Sequence, residues 1–168
     1  MKGLMKRDRG ETISKRGSTT VECALILPVL ALLVCAMADM GYYMFVQHTL
    51  QFATREGTRL ATVGGTLNGA NGTPLSRAAS IVAEVQTEAA LGGIPAGAIQ
   101  ISIFPITATY GNPTGWTGEQ NAGSPGDYMR VVSTYTYTFF TPLIGQFFGG
   151  GVSTITAQAT YRNELFSS

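Results

Sequence analysis

The longest apolar stretch of the chain lies near its N-terminus. Every residue from Cys23 to Ala38 is apolar, and the acids Glu22 and Asp39 bound this run. The apolar character continues after Asp39, so a helix from Val21 to about Phe45 would cross roughly 30 Å of hydrocarbon with some tilt. The pattern therefore predicts one membrane-spanning helix. Tyr42 and Tyr43 are residues of the type expected at its far interface.

Beyond the span, apolar positions recur at alternating spacings of three and four residues as far as Leu60. This spacing marks one face of a helix, so we expect the same helix to continue to about Val63. A second helix is predicted from Pro74 to about Leu91. Thr73 would cap it, the proline would occupy its first position, and apolar residues line one of its faces.

Three segments of the C-terminal half alternate with the period of two that is typical of strands, around residues 99–103, 130–139 and 154–161. Threonines fill the outward positions of the last two segments. This pattern predicts a small antiparallel sheet of three or four strands with one face covered by helices. The predicted fold class is α+β: a long N-terminal transmembrane helix that leads into a second helix and a small antiparallel sheet.

Two connecting segments carry unusual residues. The segment 108–126 is rich in Gly, Pro and Asn and holds the only tryptophan, Trp116, which either contacts another subunit or an adhesive surface, or packs on its own sheet. The segment 139–148 is too apolar for an ordinary hairpin tip. Unless it folds under the helix, Phe147 and Phe148 are candidate contacts with the membrane or a neighbouring subunit.

Charged residues make up 12% of the chain and are concentrated at its N-terminus, where eight of them lie within the first 16 residues. Six of these eight are basic, so the positive-inside rule keeps the N-terminus cytoplasmic and sends the C-terminal domain across the membrane. We therefore divide the chain into a cytoplasmic basic leader at 1–17, a transmembrane helix at 18–46 and an exported α+β domain at 47–168.

The composition argues against several classes of function. A net charge of +1 without a basic face in the folded part excludes nucleic acid as a partner. His48 is the only histidine, and the exported part has no cysteine, phosphate-binding loop or carboxylate pair. We therefore expect no enzyme activity, no cofactor, no metal and no small-molecule substrate.

The segment just before the apolar run carries the most specific signal. Arg16, Gly17 and Ser18 are followed by Glu22, five positions after the glycine, and then directly by the apolar helix. This arrangement resembles the processing site of type IV pilin-like precursors. The resemblance implies that a prepilin peptidase cuts between Gly17 and Ser18 on the cytoplasmic side. Glu22 would then be the fifth residue of the mature chain.

Glu22 is unusual because it lies at the start of a membrane helix. A carboxylate costs on the order of 2.5–3.5 kcal/mol at the bilayer centre, and less near the interface. Cleavage would create a positive α-amine at Ser18, one helical turn away. The resemblance implies that Glu22 pairs with the amine of a neighbouring subunit and sets the axial register. The alternative is that Glu22 lies at headgroup level, where its carboxylate reaches the water and has no pairing role.

Residues 16–62 as a whole resemble the TadE-like family, on the sequences E-C-A-L-I-L-P at 22–28 and Q-F-A-T-R-E-G-T-R at 51–59. The C-terminal T-A-Q-A-T-Y-R-N-E at 156–164 supports this resemblance. It implies a pilin-like architecture and a minor pilin, or pseudopilin, of the Tad (Flp) pilus assembly system, with a role in surface adhesion left open. The implied partners are the membrane, a prepilin peptidase, other pilins and Tad secretion components.

The implied location is the bacterial cytoplasmic (inner) membrane, with a single pass and the C-terminal domain periplasmic or extracellular. Entry into the filament is left open. The alternative is an ordinary signal peptide cut after Ala38, which ends an A-x-A site and would release a binding domain that begins at Asp39. The long basic leader, the long apolar run and Glu22 argue against this alternative.

Overall fold

The computed structural model describes residues 11–107 and 109–166, without the side chains of residues 11–17 and 143. Residues 1–10 of the predicted leader lie outside the described residues. The chain divides into two compact units, with the boundary between Met40 and Gly41. The described elements are α1 (Glu11–Thr62), α2 (Arg77–Leu91), a 3₁₀ turn (Ala96–Ala98), β1 (Ile99–Pro105), β2 (Tyr128–Thr138), α3 (Pro142–Gly145) and β3 (Val152–Arg162).

The element order confirms the predicted α+β class. The three strands form one antiparallel sheet with the order β1-β2-β3. Ser133 in the central strand lies opposite Ile101 of β1 and Ala157 of β3, so the residues of one parity in all three strands share one face. The helix α1 ends at Thr62, one residue before the predicted end.

In the second unit, one hydrophobic core joins the later part of α1, α2 and one face of the sheet. Its fully buried members include Leu50 and Ala53 of α1, Ile81 and Val85 of α2, and Ile103, Val131 and Ile155 of the sheet. One polar contact crosses this core. The hydroxyl oxygen of Thr54 lies 2.9 Å from that of Ser133, so α1 is also tied to the central strand.

The predicted start of the second helix at Pro74 is wrong, because α2 begins at Arg77. Ser76 is the capping residue, and its hydroxyl accepts a hydrogen bond of 3.2 Å from the Ala79 N–H. Before it, the Leu75 N–H donates to the carbonyl of Leu67, and Pro74 forms a β-bridge with Asn68. This pairing keeps the chain extended through Leu75 and delays the helix.

The face of the sheet that was expected to be open is covered over part of its area. The long segment after β1 folds back over it, and Ser102, Phe104 and Val132 are buried as a result. The Gly118 N–H donates to the Ser102 hydroxyl at 2.8 Å, and the Trp116 ring lies 5.3 Å from that of Phe104. Threonines remain exposed on the rest of this face, as the alternation predicted.

A partly buried arginine fixes the C-terminal tail to the helices. Arg77, the first residue of α2, donates from Nη1 to the carbonyl of Gly123 (2.9 Å). From Nη2 it donates to the carbonyl of Ala61 (3.3 Å) and to Asn163 Oδ1 (3.2 Å). Its guanidinium also lies 4.3 Å from the ring centroid of Phe166. One side chain therefore joins α1, α2, the long loop and the tail.

Asn163 completes this clamp and is itself 2% exposed. Its Nδ2 donates to the carbonyl oxygens of Ala122 (3.0 Å) and Ser124 (2.8 Å). Its backbone N–H donates to the carbonyl of Asp127 at 2.9 Å. The side-chain amide therefore uses both donors and its acceptor.

Tyr161 lies near the clamp on β3. Burial raises the pKa of Tyr161 to about 12, and the positive charge of Arg77 offsets only part of this effect. Its hydroxyl has no hydrogen-bond partner among the residues that the structure describes. Tyr161 is therefore neutral at physiological pH and contributes to the domain mainly as a packed ring.

The helices α1 and α2 pack tightly against each other at Gly57 of α1. A Cβ at this position would overlap Val85 Cγ2 and would lie 3.3 Å from the carbonyl oxygen of Ile81 on α2. The neighbouring α1 residues on this face, Ala53 and Ala61, are also small and buried. Gly57 therefore sets the distance between the helices.

Replacing Gly57 by leucine is expected to lower the free energy of unfolding by about 2 kcal/mol or more, because overpacking against a backbone carbonyl cannot relax by side-chain rotation alone. Gly41 offers a matched control in the same helix, since a Cβ there would meet nothing within 4 Å. Gly41→Leu should leave the stability unchanged or slightly raised, because leucine favours helix more than glycine does. Denaturant unfolding of the full chain in detergent measures both variants, and equal stabilities would contradict the packing role.

Candidate functional site

The N-terminal part of α1 has the properties of a membrane span. Among the described residues, one helix is long and apolar enough to cross a membrane, and no residue of its most apolar 18-residue window is buried. Leu25, Ile26 and Leu27 are all more than half exposed, and because consecutive residues point about 100° apart, apolar side chains cover several faces of the helix. A helix that is apolar all round needs an apolar surrounding. This finding supports membrane anchoring by α1.

The predicted processing residues lie within this helix. Gly17 and Ser18 are both part of α1, and the Ser18 hydroxyl donates a hydrogen bond of 3.2 Å to Glu22 Oε1. Both side chains of this pair are exposed. The geometry therefore places the Glu22 carboxylate one helical turn after the residue that would carry the new α-amine, as an i,i+4 spacing requires.

A cluster of aromatic rings lies where the second unit begins. We call it the aromatic end, and its members are Tyr42, Tyr43 and Phe45 of α1, Tyr137 of β2, and Phe139, Phe140, Phe147 and Phe148 of the β2–β3 connection. Tyr137 is central, with its ring 5.4 Å from that of Tyr43 and 5.1 Å from that of Phe139. Ring contacts of this kind stabilise the fold beyond what the burial of the rings alone contributes.

The outer members of the aromatic end are exposed. Phe147 is 80% exposed and Phe140 is 71% exposed, although the ring of Phe140 lies 5.4 Å from that of Tyr42. Phe148 is 37% exposed and stacks on the buried Phe139 at 4.6 Å. The two phenylalanines predicted from the sequence are thus differently placed: Phe148 partly closes the core, whereas Phe147 projects from it.

Sequence reasoning did not bring these rings together. Tyr42 and Phe140 are almost 100 positions apart, and no local pattern reports a contact of that range. The small helix α3 in the β2–β3 connection was also missed. The one usable signal was the run of four phenylalanines between residues 139 and 148 in a segment that should have been polar.

Trp116 lies elsewhere, on the outer face of the sheet. Its ring packs on Phe104 and is partly exposed. The structure thus brings Trp116 onto its own sheet, which was one of the two expectations, and leaves part of the ring available to a partner. Within the described part of the chain, no group of three or more His, Cys, Asp or Glu residues could hold a metal ion.

The comparisons with known proteins bear on the N-terminal segment. Residues 17–59 match the family described as TadE-like protein. No curated protein and no solved structure matches the chain. The matched residues include the processing segment, the apolar run and the close-packed Gly57, so the match confirms the resemblance expected from residues 16–62. Residues 17–59 of the chain are therefore similar to the TadE-like family.

Proposed function

We propose that the protein is a minor pilin, or pseudopilin, which a prepilin peptidase cuts between Gly17 and Ser18 and which takes part in building a Tad (Flp) pilus. The observation that carries this proposal is the position of Glu22. Its carboxylate lies exposed on an apolar helix, one turn after Ser18, and accepts a hydrogen bond from that residue. A charge in this place needs a partner of opposite sign, and cleavage supplies one.

The new ammonium group has two acceptors within its reach. Glu22 of the same chain is one turn away, and the equivalent glutamate of a neighbouring subunit becomes available when the helices pack side by side. The pair between subunits neutralises both charges and fixes how far one subunit is shifted along its neighbour. The positive end of the helix dipole adds to the attraction for the carboxylate.

The basic leader supports a cytoplasmic N-terminus, with the sheet domain on the other side of the inner membrane. The partners in this proposal are the membrane, the prepilin peptidase, other pilins and the Tad secretion components. The role is structural and not catalytic. Adhesion belongs to the proposal only as an additional role, for which the partly exposed Trp116 offers a contact residue.

The competing function is a secreted or anchored binding domain cut after Ala38. The continuity of α1 favours the pilin proposal, because the helix passes through Ala38 without interruption and ends only at Thr62. A signal peptidase cut would divide an element whose later part contributes Val46 and Leu50 to the core. Cleavage after Gly17 removes only residues 11–17 from the start of α1 and leaves residues 18–62, including those that pack in the core, attached to the domain.

Substitution of the residue before the cut tests the proposal. Gly17→Leu should leave the protein in the membrane at the mass of the precursor and should strongly reduce surface pili, because a bulky side chain blocks the peptidase. Gly10→Leu, a matched change in the leader, should mature as the parent does. Immunoblots of membranes together with electron microscopy of the cells measure both effects. Normal maturation and normal pili in the Gly17 variant would refute the proposed processing.

A further inference from the structure

The aromatic end is a surface for which the proposed function gives no role. We infer that it is a second membrane contact, in which Phe140 and Phe147 insert into the lipid headgroup region on the side where the folded domain lies. This inference rests on membrane anchoring by α1. It does not depend on processing after Gly17 or on pilus assembly.

The first support is the exposure of these rings. Phe45, Phe140 and Phe147 are 52%, 71% and 80% exposed, and ring contacts through Tyr42 connect Phe45 with Phe140. Phe147 lies in the same β2–β3 connection as Phe140, and exposed apolar side chains grouped in this way mark a contact with lipid or protein. Solvent-exposed phenylalanine rings gain free energy when they leave water.

The second support is the distribution of charge. The chain has no Asp, Glu, Lys, Arg or His from Val131 to Tyr161, a stretch that contains most of β2, the whole connection and most of β3. Charged residues appear only at the opposite end of this hairpin, where Asp127, Arg130 and Arg162 lie. The hairpin therefore brings no ion to the bilayer surface, and Asp39 of α1, three residues before Tyr42, is buried (2% exposed).

The third support is the length of chain between the span and the aromatic end. Tyr42 follows Ala38, the last residue of the apolar run, by four residues of α1, which rise about 6 Å along the helix. The headgroup region on each side of the hydrocarbon is roughly 5–8 Å thick. Tyr42 is therefore held at or near the interface by the covalent chain. Its ring lies 5.4 Å from that of Phe140, so the hairpin end is held there too.

These three facts favour lipid over a protein partner as the occupant. Tyrosine beside a span is what an interface selects, since its ring is apolar and its hydroxyl remains in contact with water. Gly149, Gly150 and Gly151 form the tip of the hairpin, where all three have positive φ. Because glycine has no side chain, no polar side chain at the tip opposes insertion.

Fluorescence quenching by brominated lipids tests the inference on the full chain. The chain is reconstituted in vesicles of phosphatidylethanolamine and phosphatidylglycerol whose acyl chains carry bromine near the headgroup. Phe147→Trp, made together with Trp116→Phe, places the only tryptophan at the aromatic end. Tyr128→Trp in the same background is the matched control, because Tyr128 is also exposed (47%) but lies at the charged end of β2.

We expect the tryptophan at position 147 to lose most of its fluorescence in brominated vesicles and to be shielded from iodide in the water. The tryptophan at position 128 should show the reverse. If the tryptophan at position 147 is quenched by iodide and not by bromine, the aromatic end faces water and the inference is wrong. If neither agent quenches it, protein covers this surface, and a lipid contact is equally excluded.

Discussion

Replacing Glu22 by alanine is expected to remove most surface pili while the folded domain keeps its stability. The reason is electrostatic. Without the carboxylate, the ammonium group at Ser18 of a neighbouring subunit stays unpaired in a medium of low dielectric constant. Loss of one partner of a buried ion pair costs about 3–5 kcal/mol, which corresponds to a loss of roughly 100-fold or more in subunit association. Counts of pili by electron microscopy measure the effect.

Companion variants separate charge from shape. Glu22→Gln keeps the size of the side chain but removes its charge, so it should fail as Glu22→Ala does, whereas Glu22→Asp should retain part of the assembly. Glu56 is a suitable control on the same helix because it pairs with Arg59 on the surface at 2.8 Å. Such exposed pairs contribute little, and Glu56→Ala should leave the pili unchanged. Pili at parental levels in both the alanine and the glutamine variants of Glu22 would rule out the ion pair.

Replacing Asn163 by alanine is expected to lower the free energy of unfolding by about 3–5 kcal/mol. The substitution removes two hydrogen bonds to backbone carbonyls, and it leaves the partly buried Arg77 guanidinium without one of its acceptors. Buried polar groups that lose their partners cost about 1–3 kcal/mol each, and more where one of them is charged. Denaturant unfolding of the full chain in detergent measures the change.

The chain offers a matched control for this substitution. Asn112 also accepts a hydrogen bond from an arginine, Arg130, but both side chains lie at the surface. Asn112→Ala should therefore cost less than about 1 kcal/mol, since water can replace the lost acceptor. If the two alanine variants were equally stable, Arg77 and Asn163 would not form the clamp that holds the tail against the helices.

Much of the fold could be predicted from the sequence because its signals are local. The apolar run, the helix spacing up to Leu60 and the alternation in three strands each report on their own segment, and each element was found close to its observed position. The start of α2 was not predictable in this way. Its delay comes from the pairing of Pro74 and Leu75 with a segment that precedes them, and helix-capping rules do not detect such pairing.

In the candidate site, too, local contacts could be predicted and long-range contacts could not. The spacing of Ser18 and Glu22 is one helical turn, so their proximity follows once α1 is recognised. Arg77 and Asn163 are 86 positions apart, and the aromatic end joins rings from three distant segments. Contacts of that range depend on how the sheet and the helices pack. Neither the spacing of apolar positions nor a short motif encodes them. For this reason the sequence did not predict the clamp, and the rings around Tyr137 appeared in it only as separate aromatic residues.

The N-terminal residue of the mature protein tests the central claim most directly. The protein is isolated from the membranes of its host, and its first residue is determined by N-terminal sequencing and intact mass. A chain that begins at Ser18 is expected, with the leader removed and Glu22 as its fifth residue. A chain that begins at Asp39, or one that retains Met1 and the whole leader, would contradict the processing on which the pilin assignment depends.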